Sequence, residues 1–269
     1  MAEDASLRGM ALYADGKKIA DGARFTLQGR STMSCTADKF VLTIKAYEDD
    51  DLSKIKQAKS LTVTGENDSA LIEAPPAEIM TEIVNGVEQC TVVLVDGGDF
   101  CAGSVAVSIR KDTTLEEALS TVLAHCDAPL PLVTKIHAPV RFSRGQAFFG
   151  KTTQAVKELA KSAGYRAYVT HGGLYLTKAS EATTVTILTD DMVLETPSVL
   201  DGVTIVKTPV TGFQVGQCLQ FQEDDATTYR ILAQAIDAGN YSGAWSSQLV
   251  LLDESAMLAD ASNDTEGLT

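Results

Sequence analysis

Hydrophobic periodicity divides the chain into three parts, and their order limits the folds open to it. Over the first hundred residues, apolar and polar residues alternate in short segments separated by turn residues, as in antiparallel strands. The period becomes helical in the middle of the chain and returns to strands after about residue 183. This order predicts a mainly β (α+β) fold, with β-rich domains at 1–111 and 183–254, a small α/β insert at 112–182 and a flexible acidic tail at 255–269.

The insert is predicted to contain two helices and a hairpin. Helices are expected near 114–126 and 152–164, where apolar residues recur every three or four positions. Thr113 or Thr114 is a candidate N-terminal cap for the first helix, and Gly164 a C-terminal cap for the second. A hairpin follows at 165–178 around "HGG". Periodicity leaves open whether the two β parts form separate barrels or halves of one sheet system.

Charge and cysteine usage exclude several classes of protein. The net charge is −14, from 36 acidic and 22 basic residues, which argues against a nucleic-acid binder and suits a surface that repels DNA. The five cysteines lack C-x-x-C spacing and are interpreted as buried thiols of a protein made in reducing cytoplasm. No export signal and no apolar run of about 20 residues is present, so no membrane insertion is expected.

The stretch "RGQAFFGKTTQAVKEL" contains G-x-x-x-x-G-K-T, the consensus of a phosphate-binding P-loop, at Gly145, Gly150, Lys151 and Thr152. Apolar segments ending at Asp96 and at Asp253-Glu254 resemble the magnesium-binding strand of ATPases. Against nucleotide binding, Phe148 and Phe149 would crowd the loop, and the expected parallel sheet with crossover helices is missing. The stretch is therefore interpreted as structural: a turn, a Thr-capped helix start and a cationic surface.

Other candidate chemistry is also interpreted as structural. The histidines His125, His137 and His171 have no metal-ligand spacing, and the acidic clusters at 48–51 and 223–225 do not follow a calcium-loop pattern. Trp245 is expected to be a core or interface anchor. We expect no catalytic residues, no metal and no cofactor, and therefore no enzyme.

The C-terminal third, "GFQVGQCLQFQEDDATTYRILAQAIDAGNYSGAWSSQLVLLD", resembles the closing segment of baseplate hub proteins of contractile-tailed phages. That segment has an "x-x-G-x-x-Φ-x-Φ" strand (Φ is apolar), a "Y-x-Φ-x-x-Φ-x-H" strand, a Gly-containing turn and a Trp-initiated strand. The chain departs from it at Ala235–Asp237, where a histidine is often found. The matching residues are Gly216, Leu219, Phe221, Tyr229, Ile231, Gly243 and Trp245.

Earlier segments are similar to the same family in their order. They are a "FVLTI" strand, a polar excursion, "LTVTGE", the "TVVLVDGG" passage and a helix-then-hairpin module in which Gly150-Lys151-Thr152 begins a helix. The resemblance implies two tail-tube-like antiparallel β-barrel domains in each chain. It further implies a homotrimer that forms a pseudo-sixfold ring between the sixfold tail tube and the threefold central spike.

The implied partners are the tail tube protein, the central spike protein, the tape measure and the wedge or sheath-initiating proteins, with DNA only in transit. The implied location is the baseplate of the virion, after synthesis in the bacterial cytoplasm. Alternatives are a tail-tube or distal-tail protein with one barrel per chain, and a P-loop nucleotide-binding protein using Gly145–Thr152. A carbohydrate-binding or adhesin module is disfavoured because only 6% of the residues are aromatic.

Overall fold

The computed structural model describes residues 9–65, 68–136, 140–178, 184–241 and 243–255. His137 and the predicted tail beyond Ser255 lie outside these ranges. Within them the chain is mostly antiparallel β-strand with a helical insert, which confirms the predicted fold class. No helix in the described part of the chain is long and apolar enough to cross a membrane.

The first β part contains eight strands and one helix. Helix α1 spans Asp49–Gln57, and its Glu48 and Asp51 form a capping box, so the acidic cluster at 48–51 serves the helix N-terminus. The strands are β1 (Ala11–Ala14), β2 (Lys17–Ile19), β3 (Arg24–Thr32), β4 (Asp38–Lys45), β5 (Leu61–Thr64), β6 (Ala70–Ala74), β7 (Pro76–Val84) and β8 (Val87–Asp96).

In the described residues, the insert packs three helices against the two-stranded sheet β9–β10 and the hairpin β11–β12. Thr114 caps α3 in a capping box with Glu117, as predicted, and Gly164 follows α4 with φ +77°. The turn at His171-Gly172 also forms where predicted. The elements are α2 (Gly98–Ala102), β9 (Ser104–Ile109), α3 (Leu115–Ala124), β10 (Gln146–Lys151), α4 (Thr152–Ser162), β11 (Arg166–Thr170) and β12 (Gly173–Thr177).

The second β part has six strands and a 3-10 turn at Asp190–Met192. Asp201 and Gly202, both at positive φ, make a tight turn inside "LDGVTIVKT", between β14 and β15. The strands are β13 (Val185–Leu188), β14 (Ser198–Leu200), β15 (Val203–Pro209), β16 (Cys218–Phe221), β17 (Asp224–Gly239) and β18 (Trp245–Asp253).

One ten-stranded sheet joins the two β parts. Its main path is β14-β15-β18-β17-β3-β4-β8-β7, with β16 paired to β17 and β13 paired to β16. The junction is the antiparallel pairing of β17 with β3, from Ala233–Thr32 to Gly239–Thr26. The two β parts are therefore halves of one sheet system, which settles the alternative that periodicity left open. A four-stranded sheet, β2-β1-β5-β6, contributes to the first core.

Three hydrophobic clusters follow the three parts of the chain. The first lies between the two sheets of the first β part, the second surrounds the insert helices, and the third lies inside the second β part. Phe100, Val105 and Ile109 pack in the insert cluster although they precede the predicted boundary at residue 112. The domain limits stay a prediction, and these contacts favour an insert that begins near residue 98.

Candidate assembly surfaces and the contacts that position them

The P-loop-like stretch is a strand followed directly by a helix. Residues 146–151 form β10, paired with β9 from Gln146–Ile109 to Lys151–Ser104, and α4 begins at Thr152. The predicted turn was therefore wrong at these positions, and Thr152 does not cap the helix, since Lys151 holds the cap position without a side-chain hydrogen bond. In a strand the backbone N–H groups alternate in direction, whereas a phosphate loop needs consecutive N–H groups that converge on one anion.

The carboxylates that resembled a magnesium site have partners of their own. Asp96 accepts hydrogen bonds from the backbone N–H groups of His171 (2.6 Å) and Gly172 (2.8 Å). Asp253 accepts from the N–H (2.8 Å) and the hydroxyl (2.7 Å) of Ser255. Glu254 pairs with Arg230. Among the described residues, no group of three or more His, Cys, Asp or Glu side chains is placed to hold a metal ion.

The residues that carried the family resemblance lie mostly around the third core. Leu219 and Ile231 are buried there, and the Phe221 ring meets the edge of Tyr229 at 5.3 Å between centroids. Trp245 begins β18 and packs instead against the first core, close to the junction of the two β parts. Gly243 is exposed and has open space where a side chain would be.

Gly216 brings the second β part into contact with the insert. Its φ is +85°, and a Cβ atom there would lie 2.5 Å from Cζ of Tyr168 and would overlap the hydroxyl. Tyr168 belongs to β11 and stacks on Tyr175 of β12 at 5.4 Å. The glycine therefore allows the backbone before β16 to lie directly on the hairpin of the insert.

Sequence reasoning missed Arg230, the largest fully buried side chain. It is 1% exposed, forms an ion pair with Glu254, and donates from Nη1 to the carbonyl of Gly216 at 2.8 Å. The arginine therefore ties the end of the last described strand to the Gly216 turn. An arginine within an alternating strand pattern predicts a solvent-facing side chain, so the pattern did not indicate that Arg230 is buried.

Asp96 and Asp38 are two buried carboxylates at the junction of the first β part and the insert. They are paired residues on β8 and β4, and Asp96 holds the tip of the insert hairpin through its two backbone hydrogen bonds. Asp38 accepts from the N–H (2.7 Å) and the hydroxyl (2.9 Å) of Thr32. Burial raises the pKa of Asp38 to about 6, against the opposing hydrogen bonds from Thr32, and burial also raises the pKa of Asp96.

This raised pKa predicts a stability that increases on mild acidification. Folded Asp38 binds its proton more tightly than unfolded Asp38, so its ionisation costs stability as the pH rises from about 4 to about 6. Above pH 6 the loss in the free energy of unfolding is complete, and it amounts to about 2 to 3 kcal/mol for a pKa that rises from about 4 to about 6 on folding. We expect the melting temperature to rise between pH 7.5 and pH 5, and to rise less in Asp38→Asn. Equal pH profiles for the two proteins would contradict the assignment.

The β7–β8 hairpin presents apolar side chains to solvent at one edge of the ten-stranded sheet. Among the described strands, β7 pairs only with β8, and nearly all its residues are exposed. Ile83 is 76% exposed, and Met80, Val84 and Val87 are also accessible. A long edge strand with exposed apolar residues is a template for pairing with another chain. We call it the β7 edge.

The opposite edge of the sheet carries a second apolar surface. In the part of the chain that the structure describes, β14 pairs only with β15; Val199 is 75% exposed, and Leu200 and Leu194 are accessible beside it. We call it the β14 edge. Both ends of the main path of the sheet are therefore open and apolar, a combination that natural proteins avoid unless the edge is covered on assembly.

Between these edges, the face of the sheet away from the cores carries small and polar side chains of mixed charge. One row crosses four strands through paired residues: Arg30, Ala235, Gln248 and Lys207. In the neighbouring row, Gln28 donates a hydrogen bond to Asp237 at 3.1 Å. This open face is close to balanced in charge, and the acidic surplus of the chain is concentrated elsewhere. Its basic residues are Arg24, Arg30, Lys39, Lys45 and Lys207, and its acidic residues are Glu78, Glu82, Glu195 and Asp237.

The charge differs sharply between the parts of the chain. Residues 179–269 contain two basic and fourteen acidic residues, and residues 1–103 contain ten and seventeen. Residues 104–178, within the insert, have the opposite balance, ten basic and five acidic. The insert is thus a cationic module on an anionic β framework, a contrast that the net charge of the whole chain conceals.

The remaining candidate groups have local structural roles. The five cysteines are free thiols, three of them buried, and burial raises the pKa of Cys35 and of Cys101 to about 11. His125 binds the Thr121 carbonyl through Nδ1 at 2.8 Å. In the cluster at 223–225, Asp224 accepts from the N–H groups of Ala226 and Thr227 (3.2 Å each) in the β16–β17 turn.

No protein-family model and no curated protein sequence matches the chain. Several solved structures are similar to the structure of this chain. The 43 kDa tail protein of prophage MuSo2 from Shewanella oneidensis aligns over 92% of this chain and 99% of its own, with a TM-score of 0.68 and 13% identity. A tail protein from Neisseria meningitidis MC58 aligns over 90% and 95%, with a TM-score of 0.63 and 10% identity.

A third similar structure is the E. coli c3393 protein, a component of the type VI secretion system with structural similarity to the T4 bacteriophage tail proteins gp27 and gp5. It aligns over 90% of this chain and 76% of its own, with a TM-score of 0.60 and 11% identity. Because these alignments cover nearly the whole chain, its fold is that of phage tail proteins, consistent with a baseplate-hub-like fold. The predicted resemblance is confirmed at the level of fold.

Proposed function

We propose that the chain is a structural protein of a phage-type tail and acts as a baseplate hub. The observation that carries this proposal is the ten-stranded sheet, which spans two hydrophobic cores and ends in two open apolar edges. Two β units in each chain are what a trimer needs to form a pseudo-sixfold ring. A tail-tube or distal-tail protein, the alternative, would contribute one unit per chain to a sixfold ring.

In the proposed ring, the β7 edge of one copy lies against the β14 edge of the next. This contact covers Ile83, Val84, Val199 and Leu200, whose exposure is unfavourable in an isolated chain. The contact joins two different surfaces of the chain. Copies therefore form a closed ring only if the rotation from one copy to the next brings the last copy back to the first. Three copies then join their sheets into one continuous wall between the tail tube and the central spike.

The open face of the sheet lines the channel in this arrangement. Its small polar residues and balanced charge offer passing DNA little to bind, because strong binding of a duplex requires a surplus of cations. We propose that the chain works mechanically, in the virion tail, without turnover or a cofactor. The strand conformation of residues 146–151 supports a structural role for the P-loop-like stretch.

Charge substitutions at the two edges test the ring. Ile83→Lys and Val199→Lys each place an ammonium group in the proposed contact, where its desolvation is costly. We expect each variant to weaken trimer formation at least tenfold in sedimentation velocity. Phe149→Ser, which removes an equally exposed apolar side chain from the insert, is the matched control and should leave the trimer intact. Unchanged assembly of both edge variants would exclude this contact.

A further inference from the structure

The insert presents one aromatic side chain that the packing of the chain leaves uncovered. Phe149 is 95% exposed, whereas Phe148, its neighbour on β10, is buried in the insert core. Alternation along the strand therefore directs Phe149 away from the core, and the buried Phe148 fixes the strand beneath it. The ring is thus held outward by a rigid element.

The residues around Phe149 are too small to shield it. Its cross-strand partner is Ala106, and the flanking pairs on the same face are Ala147–Ser108 and Lys151–Ser104. Arg110 directly follows β9 and is exposed. We call this surface the β10 face, and it consists of Ser104, Ala106, Ser108, Arg110, Ala147, Phe149 and Lys151.

The β10 face also has an open strand edge and basic neighbours. Within the described residues, β10 pairs only with β9, so the backbone groups along its other edge have no strand partner. Arg110 and Lys151 form no ion pair in the described ranges, and Asp127, which accepts from Ser104 (3.2 Å), is the acid beside them. The surrounding segment, residues 104–178, has twice as many basic as acidic residues.

We propose that the β10 face docks an extended, acidic segment of another protein by strand addition. The backbone of the segment pairs with the open edge of β10, an apolar side chain covers the Phe149 ring, and its carboxylates face Arg110 and Lys151. That this partner is another tail component rests on the proposed function. The exposed ring, the basic residues and the open strand edge of the β10 face do not depend on the proposed function.

Two other occupants fit the surface less well. Face-to-face contact between two copies would bring their arginines and lysines together, which is unfavourable. A single-stranded nucleic acid could stack a base on Phe149, but the rest of the chain carries nineteen more acidic than basic residues and would repel it. A free strand edge, in addition, is recognised by a peptide backbone and not by a base.

The test uses the full-length protein and three fluorescein-labelled probes, followed by fluorescence anisotropy. The probes are a peptide of alternating Glu and Val, its Lys–Val counterpart, and a single-stranded oligo-dT of about 20 nucleotides. We expect saturable binding of the acidic peptide that Phe149→Ser and Lys151→Glu each weaken at least tenfold. Ile187→Ser removes an exposed apolar residue of β13, outside the β10 face and both sheet edges named above, and should leave the affinity unchanged.

Several results would overturn the proposal: no saturable binding, equal loss in Ile187→Ser, preference for the lysine peptide, or preference for oligo-dT. A loss of self-association in Phe149→Ser would assign the face to a contact between copies instead. Light scattering on the same samples keeps the two proposals apart. A monomer that binds the acidic peptide would contradict the ring and support the β10 face.

Discussion

Replacing Glu254 by alanine is expected to lower the free energy of unfolding by about 3 to 5 kcal/mol. The reason is the position of Arg230, whose guanidinium is buried and pairs with this carboxylate. Without Glu254 the cation keeps its hydrogen bond to the Gly216 carbonyl (2.8 Å) but has no counter-charge in a site of low polarity. Urea denaturation measured by circular dichroism gives the change.

Two control variants distinguish the effect of burying an ion pair from the effect of charge pairing alone. Glu195 and Lys207 form an exposed ion pair (2.5 Å), so Glu195→Ala should cost about 0 to 1 kcal/mol. In the double variant Glu254→Ala/Arg230→Met, the buried cation is gone together with its partner, and most of the stability should return. A loss in Glu254→Ala as small as that in Glu195→Ala would show that the guanidinium reaches water in solution.

Gly216→Ala is the second substitution with a large expected effect, a loss of about 2 to 4 kcal/mol. The new methyl group must overlap Tyr168, and alanine is also strained at a φ of +85°. Tyr168 cannot easily turn away because it is buried and stacked on Tyr175. The variant should therefore loosen the contact between the insert hairpin and the second β part.

Gly202→Ala isolates the backbone part of this cost. Gly202 has a similar φ, +79°, but open space where the methyl group would lie. Its substitution should cost about 1 kcal/mol, from the positive φ alone. The difference between the two variants in thermal or urea unfolding measures the steric contact with Tyr168. Equal losses of stability in both variants would mean that the insert hairpin moves aside for the methyl group without an energetic cost. That result would contradict the close packing of Tyr168 on Gly216.

Local patterns were sufficient to predict the elements that depend on local interactions. Thr114 and Glu117 cap α3, Gly164 ends α4, and His171-Gly172 turns the insert hairpin, because caps and tight turns are determined by a few adjacent residues. The Asp201-Gly202 turn between β14 and β15 has the same local origin, a D-G pair at positive φ.

Features that depend on distant contacts were not accessible from the sequence. The stretch that forms β10 was predicted as a turn, whereas its pairing with β9, some forty residues earlier, holds it extended. The junction of β17 with β3 joins residues about two hundred positions apart. The burial of Arg230 likewise depends on Glu254 and Gly216, which a strand pattern does not connect.

The most direct test of the central claim is the mass and symmetry of the purified protein. Light scattering coupled to size-exclusion chromatography, followed by class averages of negatively stained particles, gives both. The account predicts a concentration-dependent trimer of the 28.5 kDa chain that appears as a ring with six similar lobes, with or without magnesium-ATP. A ring of six chains would identify a tube-type protein, and a monomer stabilised by ATP would contradict both the ring and the structural interpretation of Gly145–Thr152.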